Sequence, residues 1–134
     1  MRRWKVGGAL IPHGDGLVLV CNRRKDGSVE WTPPGGVIDA GETVLGGLAR
    51  EVREETGLVV ASWSHRTYTV TVEAPDMGWL MQVEAWLAAE VTGEVVIADP
   101  DGIVEEVRFA AGHEAPGLLS VSPPWVQVPL IDWL

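Results

Sequence analysis

Three carboxylates, Glu51, Glu54 and Glu55, follow a glycine-rich turn at spacings of i, i+3 and i+4, and they constrain this chain more than any other feature. A helix sets all three on one side. On a wheel of about 100° per residue with Glu51 at zero, Glu54 falls at about −60° and Glu55 at about +40°. Leu45, Leu48, Ala49 and Val52 take the adjacent arc, so one face is buried and the acids run along its edge. Like charges this crowded are unfavourable unless a cation or solvent relieves them. A solvated acidic face is the usual explanation of such a cluster. Here the preceding Pro34-Gly35-Gly36 brings bare backbone towards a ligand, and the Gly36 carbonyl is a further hard oxygen donor. Gly47 falls inside the acidic arc and leaves space there for a bulky ligand. The arrangement suits Mg²⁺, which takes carboxylates and substrate phosphates and keeps several waters.

The chain has 134 residues and is 46% hydrophobic, which fits one domain over residues 1–134 with a proper core and no transmembrane run. No charged segment followed by an apolar stretch opens it, so no signal peptide is expected. Cys21 is the single cysteine and has no internal disulfide partner, which points to a reducing cytoplasm. A net charge of −9 lacks the electrostatic footprint of a duplex nucleic-acid binder and disfavours an anionic membrane surface. It leaves room for a small phosphorylated substrate, because bound cations invert the local field.

Strands are expected over 6–12, 17–21 and 30–32, with Pro33-Pro34-Gly35-Gly36 as a rigid-then-permissive turn. Thr43 is the expected N-cap of a helix ending at Gly57. Period-two alternation predicts strands over 67–73 and 80–87, joined by a turn at 74–78. A loop over 99–102 precedes a last strand at 107–109. The tail from Ser122-Pro123 reads as a capped helix with Trp125, Leu130 and Trp133 inward, kinked or split by Pro129. This order predicts an α/β fold, a mixed sheet sandwiched between helices.

Gly36, five residues, Glu42, seven residues and then Arg50-Glu51-Val52-Arg53-Glu54-Glu55-Thr56-Gly57-Leu58 resembles the Nudix box at every defining position. The resemblance implies the Nudix (MutT-like) fold and an Mg²⁺- or Mn²⁺-dependent pyrophosphohydrolase that cleaves a nucleoside diphosphate linked to another group. Carried over by position, it implies metal ligation by Glu51, Glu54, Glu55 and the Gly36 carbonyl. Either Glu51 or a carboxylate outside the box serves as general base. Arg50 and Glu42 resemble the family's orienting pair. The family often supplies one more glutamate ahead of a late strand, and Glu105 and Glu106 stand there as metal-ligand candidates, against a solvated strand end.

Arg23 and Arg24 are candidates for meeting substrate phosphates, with a polar loop contact as the alternative. Of the seven tryptophans, core packing accounts for most, though one of them stacking on a nucleobase is an open reading. Thr32-Pro33 stands where the family usually has an apolar residue, and Asp39 where it often has glutamate. Pro75 lies near the proline of ADP-ribose hydrolases without its usual surroundings. The expected substrate is a nucleoside triphosphate or damaged nucleotide, with ADP-ribose or a nucleotide sugar as competitor. A non-catalytic nucleotide sensor and a cation- or protein-binding domain are the rival classes. The tryptophan-rich strands and apolar tail suit either a monomer's core or a homodimer.

Overall fold

The structure is a computed structural model that describes residues 2–74, 78–100 and 102–134. Its strands are β1 (Arg2–Leu10), β2 (Pro12–His13), β3 (Gly16–Arg23), β4 (Val29–Thr32), β5 (Gly35–Val37), β6 (Val59–Ala74), β7 (Trp79–Thr92) and β8 (Val104–Ala110). Helix α1 (Val44–Thr56) lies between β5 and β6, and α2 (Ala115–Leu119) and α3 (Pro124–Trp133) follow β8.

Strand β3 explains the layering. Leu17, Val18, Leu19 and Val20 are all fully buried, so this strand has apolar groups on both faces. Leu17 and Leu19 pack with Leu10, Trp31, Leu119 of α2 and Leu130 of α3. Val18 packs with Ala9, Ile11 and the α1 residues Leu48 and Val52. Strands therefore form a middle layer with α1 on one side and α2 and α3 on the other, the expected α/β/α arrangement.

The middle layer is split into two sheets. One is mixed, in the order β5-β1-β7-β6, with β1 parallel to β7 and the other pairs antiparallel. In the other, β3 is central and antiparallel to β2, β4 and β8. Pro33 and Pro34 carry the chain from one sheet to the other. What reads as a turn is thus partly a strand, since Gly36 pairs with Gly7 and Gly35 with Gly8. The glycine at 35 is obligatory for this approach: a Cβ there would lie 2.0 Å from the Gly7 carbonyl oxygen.

Helix α1 has the expected ends. Thr43 accepts a hydrogen bond at Oγ1 from the Gly46 N–H, and Gly57 takes a left-handed φ of 81° just beyond the last turn. Four expectations are corrected. Strands β6 and β7 begin earlier and end later, respectively, than their alternation suggests. Glu105 and Glu106 lie inside β8 instead of ahead of it. Ser122 does not cap α3, because its hydroxyl donates to the Trp31 carbonyl. Pro129 does not split α3, in which Val126 and Leu130 are buried and Trp125 and Trp133 pack at the core margin. The expected turn at 74–78 and loop at 99–102 involve Pro75, Asp76, Met77 and Asp101, which lie outside the described residues. Among the described residues no helix is long and apolar enough to cross a membrane.

Candidate active site

Pairing β5 with β1 presents Gly35 and Gly36 to the acidic edge of α1. The Glu51 carboxylate packs directly on Gly36, where a Cβ would lie 3.0 Å from the carboxyl carbon. One turn further, Glu55 accepts hydrogen bonds from the Gly35 N–H at 3.2 Å and 3.4 Å. Glu55 is only 6% exposed. Burial pushes its pKa up to about 8, opposed by the Gly35 N–H and reinforced by the charges of Glu51, Asp99 and Glu54.

Arg50 holds the edge of this wall. Its Nε donates to Glu42 Oε2 at 2.8 Å and its Nη2 to Glu42 Oε1 at 2.8 Å, a two-bonded grip. Its Nη1 donates to Glu54 Oε2 at 3.2 Å and lies 3.4 Å from Glu51 Oε1, while Nη2 reaches Asp39 at 3.3 Å. Glu42 also accepts from the Asp39 N–H at 3.0 Å. The Arg50 hydrogen bond is the main cause that holds the Glu42 carboxyl down at about 2. The expected pairing of Arg50 with Glu42 is therefore present. Gly47 serves a different purpose from the one its position on the wheel suggests. A Cβ there would meet Glu42 Oε1 at 3.0 Å and Ile38 at 3.1 Å, so the missing side chain makes room for the Glu42 loop rather than for a ligand.

Gly35, Gly36, Asp39, Arg50, Glu51, Glu54 and Glu55 line one wall of an open cleft of about 1460 Å³ between the two sheets. Arg23, Arg24 and Lys25 line its lip, while Tyr68, Val83, Ala85, Trp125 and Val126 line an apolar stretch. Arg24 is paired with Glu30 at 2.7 Å. Glu105 is not brought to the acidic wall; it makes a two-bonded ion pair with Arg23. Glu106 also turns away and pairs with Arg108 at 2.8 Å. Among the described residues no three His, Cys, Asp or Glu side chains are gathered tightly enough to enclose an ion. Glu51 and Glu54 share Arg50 as a partner, while Glu55 is held by the Gly35 N–H.

A family model for the NUDIX domain matches residues 1–134. The chain belongs to the Nudix family. It is 38% identical over 50 residues to Phosphatase NudJ of Escherichia coli K12, a match covering 37% of this chain and 33% of that protein. The chain thus spans about a third of the length of the curated relatives it matches. The solution structure of the E. coli ORF135 protein superposes with a TM-score of 0.79 at 19% identity, over 98% of this chain and 88% of that one. The MutT NUDIX hydrolase from Burkholderia pseudomallei superposes with a TM-score of 0.72 at 24% identity, over 84% and 86%. These likenesses are of fold.

Asp99 of this Nudix protein lies at the same cleft, and the motif does not announce it. It lines the cleft, and its charge raises the pKa of Glu55. Its Oδ2 accepts from the Ile103 and Val104 N–H groups at 2.8 Å and 3.0 Å, which anchors the loop that enters β8. In the sequence, Asp99-Pro100 carries only a turn signal.

The donors fit a divalent cation on two observations. A Cβ at Gly36 would crowd the Glu51 carboxylate at 3.0–3.1 Å, so glycine lets that carboxylate pack against the β5 backbone. Glu55 is a buried carboxyl crowded by three others and relieved by one backbone N–H, which favours a proton or a cation there.

Proposed function

We propose that this Nudix protein hydrolyses the diphosphate linkage of a nucleoside triphosphate or damaged nucleotide. The observation that carries this reading is the buried Glu55, set with Glu51 and Glu54 on one wall of a cleft that Arg23, Arg24 and Lys25 also line and whose lining is partly apolar. Glu51, Glu54, Glu55 and the Gly36 carbonyl would hold Mg²⁺ or Mn²⁺, which neutralises diphosphate charge and lowers the pKa of water.

The chain's own residues have separable roles. Arg50, fixed by Glu42, keeps the Glu51 and Glu54 side chains on the cleft side of α1. Glu51, or Asp99 outside the box, would accept the proton of an attacking water. Arg23 and Arg24 offset the negative charge of phosphates at the lip, where a chain of net charge −9 otherwise repels them. Tyr68, Val83, Ala85 and Trp125 supply apolar surface for the base and sugar. The name of the partial relative, a phosphatase, agrees with phosphate chemistry. The proposed setting is a reducing cytoplasm, supported by the buried free thiol of Cys21.

A nucleotide panel with Mg²⁺ and Mn²⁺, following phosphate and pyrophosphate separately, tests the reading. Pyrophosphate released from a triphosphate is the expected result. AMP released from ADP-ribose, with triphosphates untouched, replaces that substrate class. Tight binding without turnover of any nucleotide supports a sensor instead.

A further inference from the structure

A slip in strand pairing places one carboxylate where the fold does not need it. Along β3 and β8, Cys21 pairs with Glu106 and the next residue, Asn22, pairs with Val104. Glu105 is skipped, which makes it the extra residue of a bulge, and bulges redirect side chains. Its carboxylate meets Arg23, accepting from Nε and, at 3.0 Å, from Nη2. Arg23 Nη1 donates to the Gly27 carbonyl at 2.9 Å, tying the guanidinium to the β3–β4 turn as well. Three of the five N–H groups of an arginine are then committed, and two are left for a ligand.

Arg23 lines the cleft and Glu105 does not. Exposed ion pairs contribute little to stability, and these side chains are 50% and 40% exposed. Stability is therefore a weak reason for two bonds, a bulge and a third tether on one arginine. Orientation is a better one, since a guanidinium fixed in its plane loses less freedom on binding phosphate. We propose that Glu105 is a positioning residue, which acts through Arg23 to aim its guanidinium at the outer phosphate of the substrate, and is not a metal ligand. The inference rests on the nucleotide reading above for the identity of the phosphate.

The test is calorimetric binding of a methylene-bridged nucleoside triphosphate analogue at saturating Mn²⁺, so that it proceeds whether or not the protein turns substrate over. Arg23→Ala is expected to weaken binding by about tenfold or more, the worth of a charged hydrogen bond. Glu105→Ala is expected to weaken it by about threefold to tenfold, and Glu105→Gln, which keeps an acceptor, by less. The double variant Arg23→Ala/Glu105→Ala is expected to bind no more weakly than Arg23→Ala alone, because the two act as a unit. Titration of Mn²⁺ without nucleotide is expected to be the same for Glu105→Ala and the parent. A Mn²⁺ affinity lowered in Glu105→Ala overturns the inference and returns Glu105 to the metal. Additive losses in the double variant overturn it, as does equal analogue affinity in the parent and Arg23→Ala, including none in either. Failure of the hydrolase reading shows separately, as absent turnover beside intact analogue binding.

Discussion

Arg50 and Glu42 are joined by two hydrogen bonds of 2.8 Å, Nε to Oε2 and Nη2 to Oε1, across the gap between α1 and the loop that leads into it. The same guanidinium touches Glu54 and Glu51. A lysine at 50 keeps the charge but makes no planar fork. Arg50→Lys is expected to retain the fold and lose about 10- to 100-fold in turnover or metal affinity, the range for groups that orient ligands. Steady-state kinetics with a Mg²⁺ titration checks it; wild-type kinetics at every Mg²⁺ concentration removes the orienting role.

Gly35 and Gly36 separate a structural from a functional requirement. A Cβ at 35 runs into the Gly7 backbone at 2.0 Å, which cannot move without unpairing β5 from β1. At 36 it meets only the end of the Glu51 side chain, at 3.0–3.1 Å. Gly35→Ala is expected to destabilise the protein by about 2 kcal/mol or more, as steric conflicts in packed backbone do. Gly36→Ala is expected to fold with a near-normal urea midpoint and lose most of its activity. Equal midpoints for the two variants contradict the steric account.

Much of the fold was legible where side chains alternate on a regular lattice. Residues 67–73 and 80–87 show clean period-two patterning because there β6 and β7 pair almost without interruption. The pairing slips repeatedly between Val60 and Tyr68, and each slip breaks the alternation, which hides the first half of β6. The division into two sheets was not legible, because Pro33-Pro34 marks a turn whether or not the next residues pair. Helix α2 has five residues, two of them Pro116 and Gly117, and leaves no periodic trace. At the site, the i, i+3, i+4 acids and the Thr43 cap were readable because helices repeat. Asp99 and the Arg23–Glu105 pair depend on contacts between residues distant in sequence or on a bulge, which no local spacing encodes.

Glu51→Gln removes one charge where the carboxylate packs on Gly36 and faces Arg50 at 3.4 Å, and it keeps the side chain's size. Turnover is expected to fall by about 10²- to 10⁴-fold, the range for loss of acid–base catalysis. Thermal stability without metal is expected to hold or rise slightly, because one member of a crowded acidic set is neutralised. A variant that retains a tenth or more of parental activity moves the base role to Asp99.

Glu55 gives the metal-free protein a pH dependence with a definite sign. Its pKa rises from an ordinary 4.5 to about 8, through burial first and then the charges of Glu51, Asp99 and Glu54. Folding therefore favours the protonated carboxyl. That contribution to stability is fully present below about 4.5 and is lost as pH rises through about 8. In a chelator, the melting temperature is expected to fall between pH 6 and pH 9. Glu55→Gln, which mimics the neutral acid, is expected to flatten this fall and to exceed the parent at pH 9. On the metal role proposed for Glu55, Mg²⁺ competes with the proton for the carboxylate, so its stabilisation of the parent is expected to grow over the same interval and to be small in Glu55→Gln. Thermal melts of both proteins at pH 6 and pH 9, with Mg²⁺ or chelator, decide the matter. A parent whose chelated melting temperature does not fall over that interval refutes the neutral Glu55 in the metal-free fold.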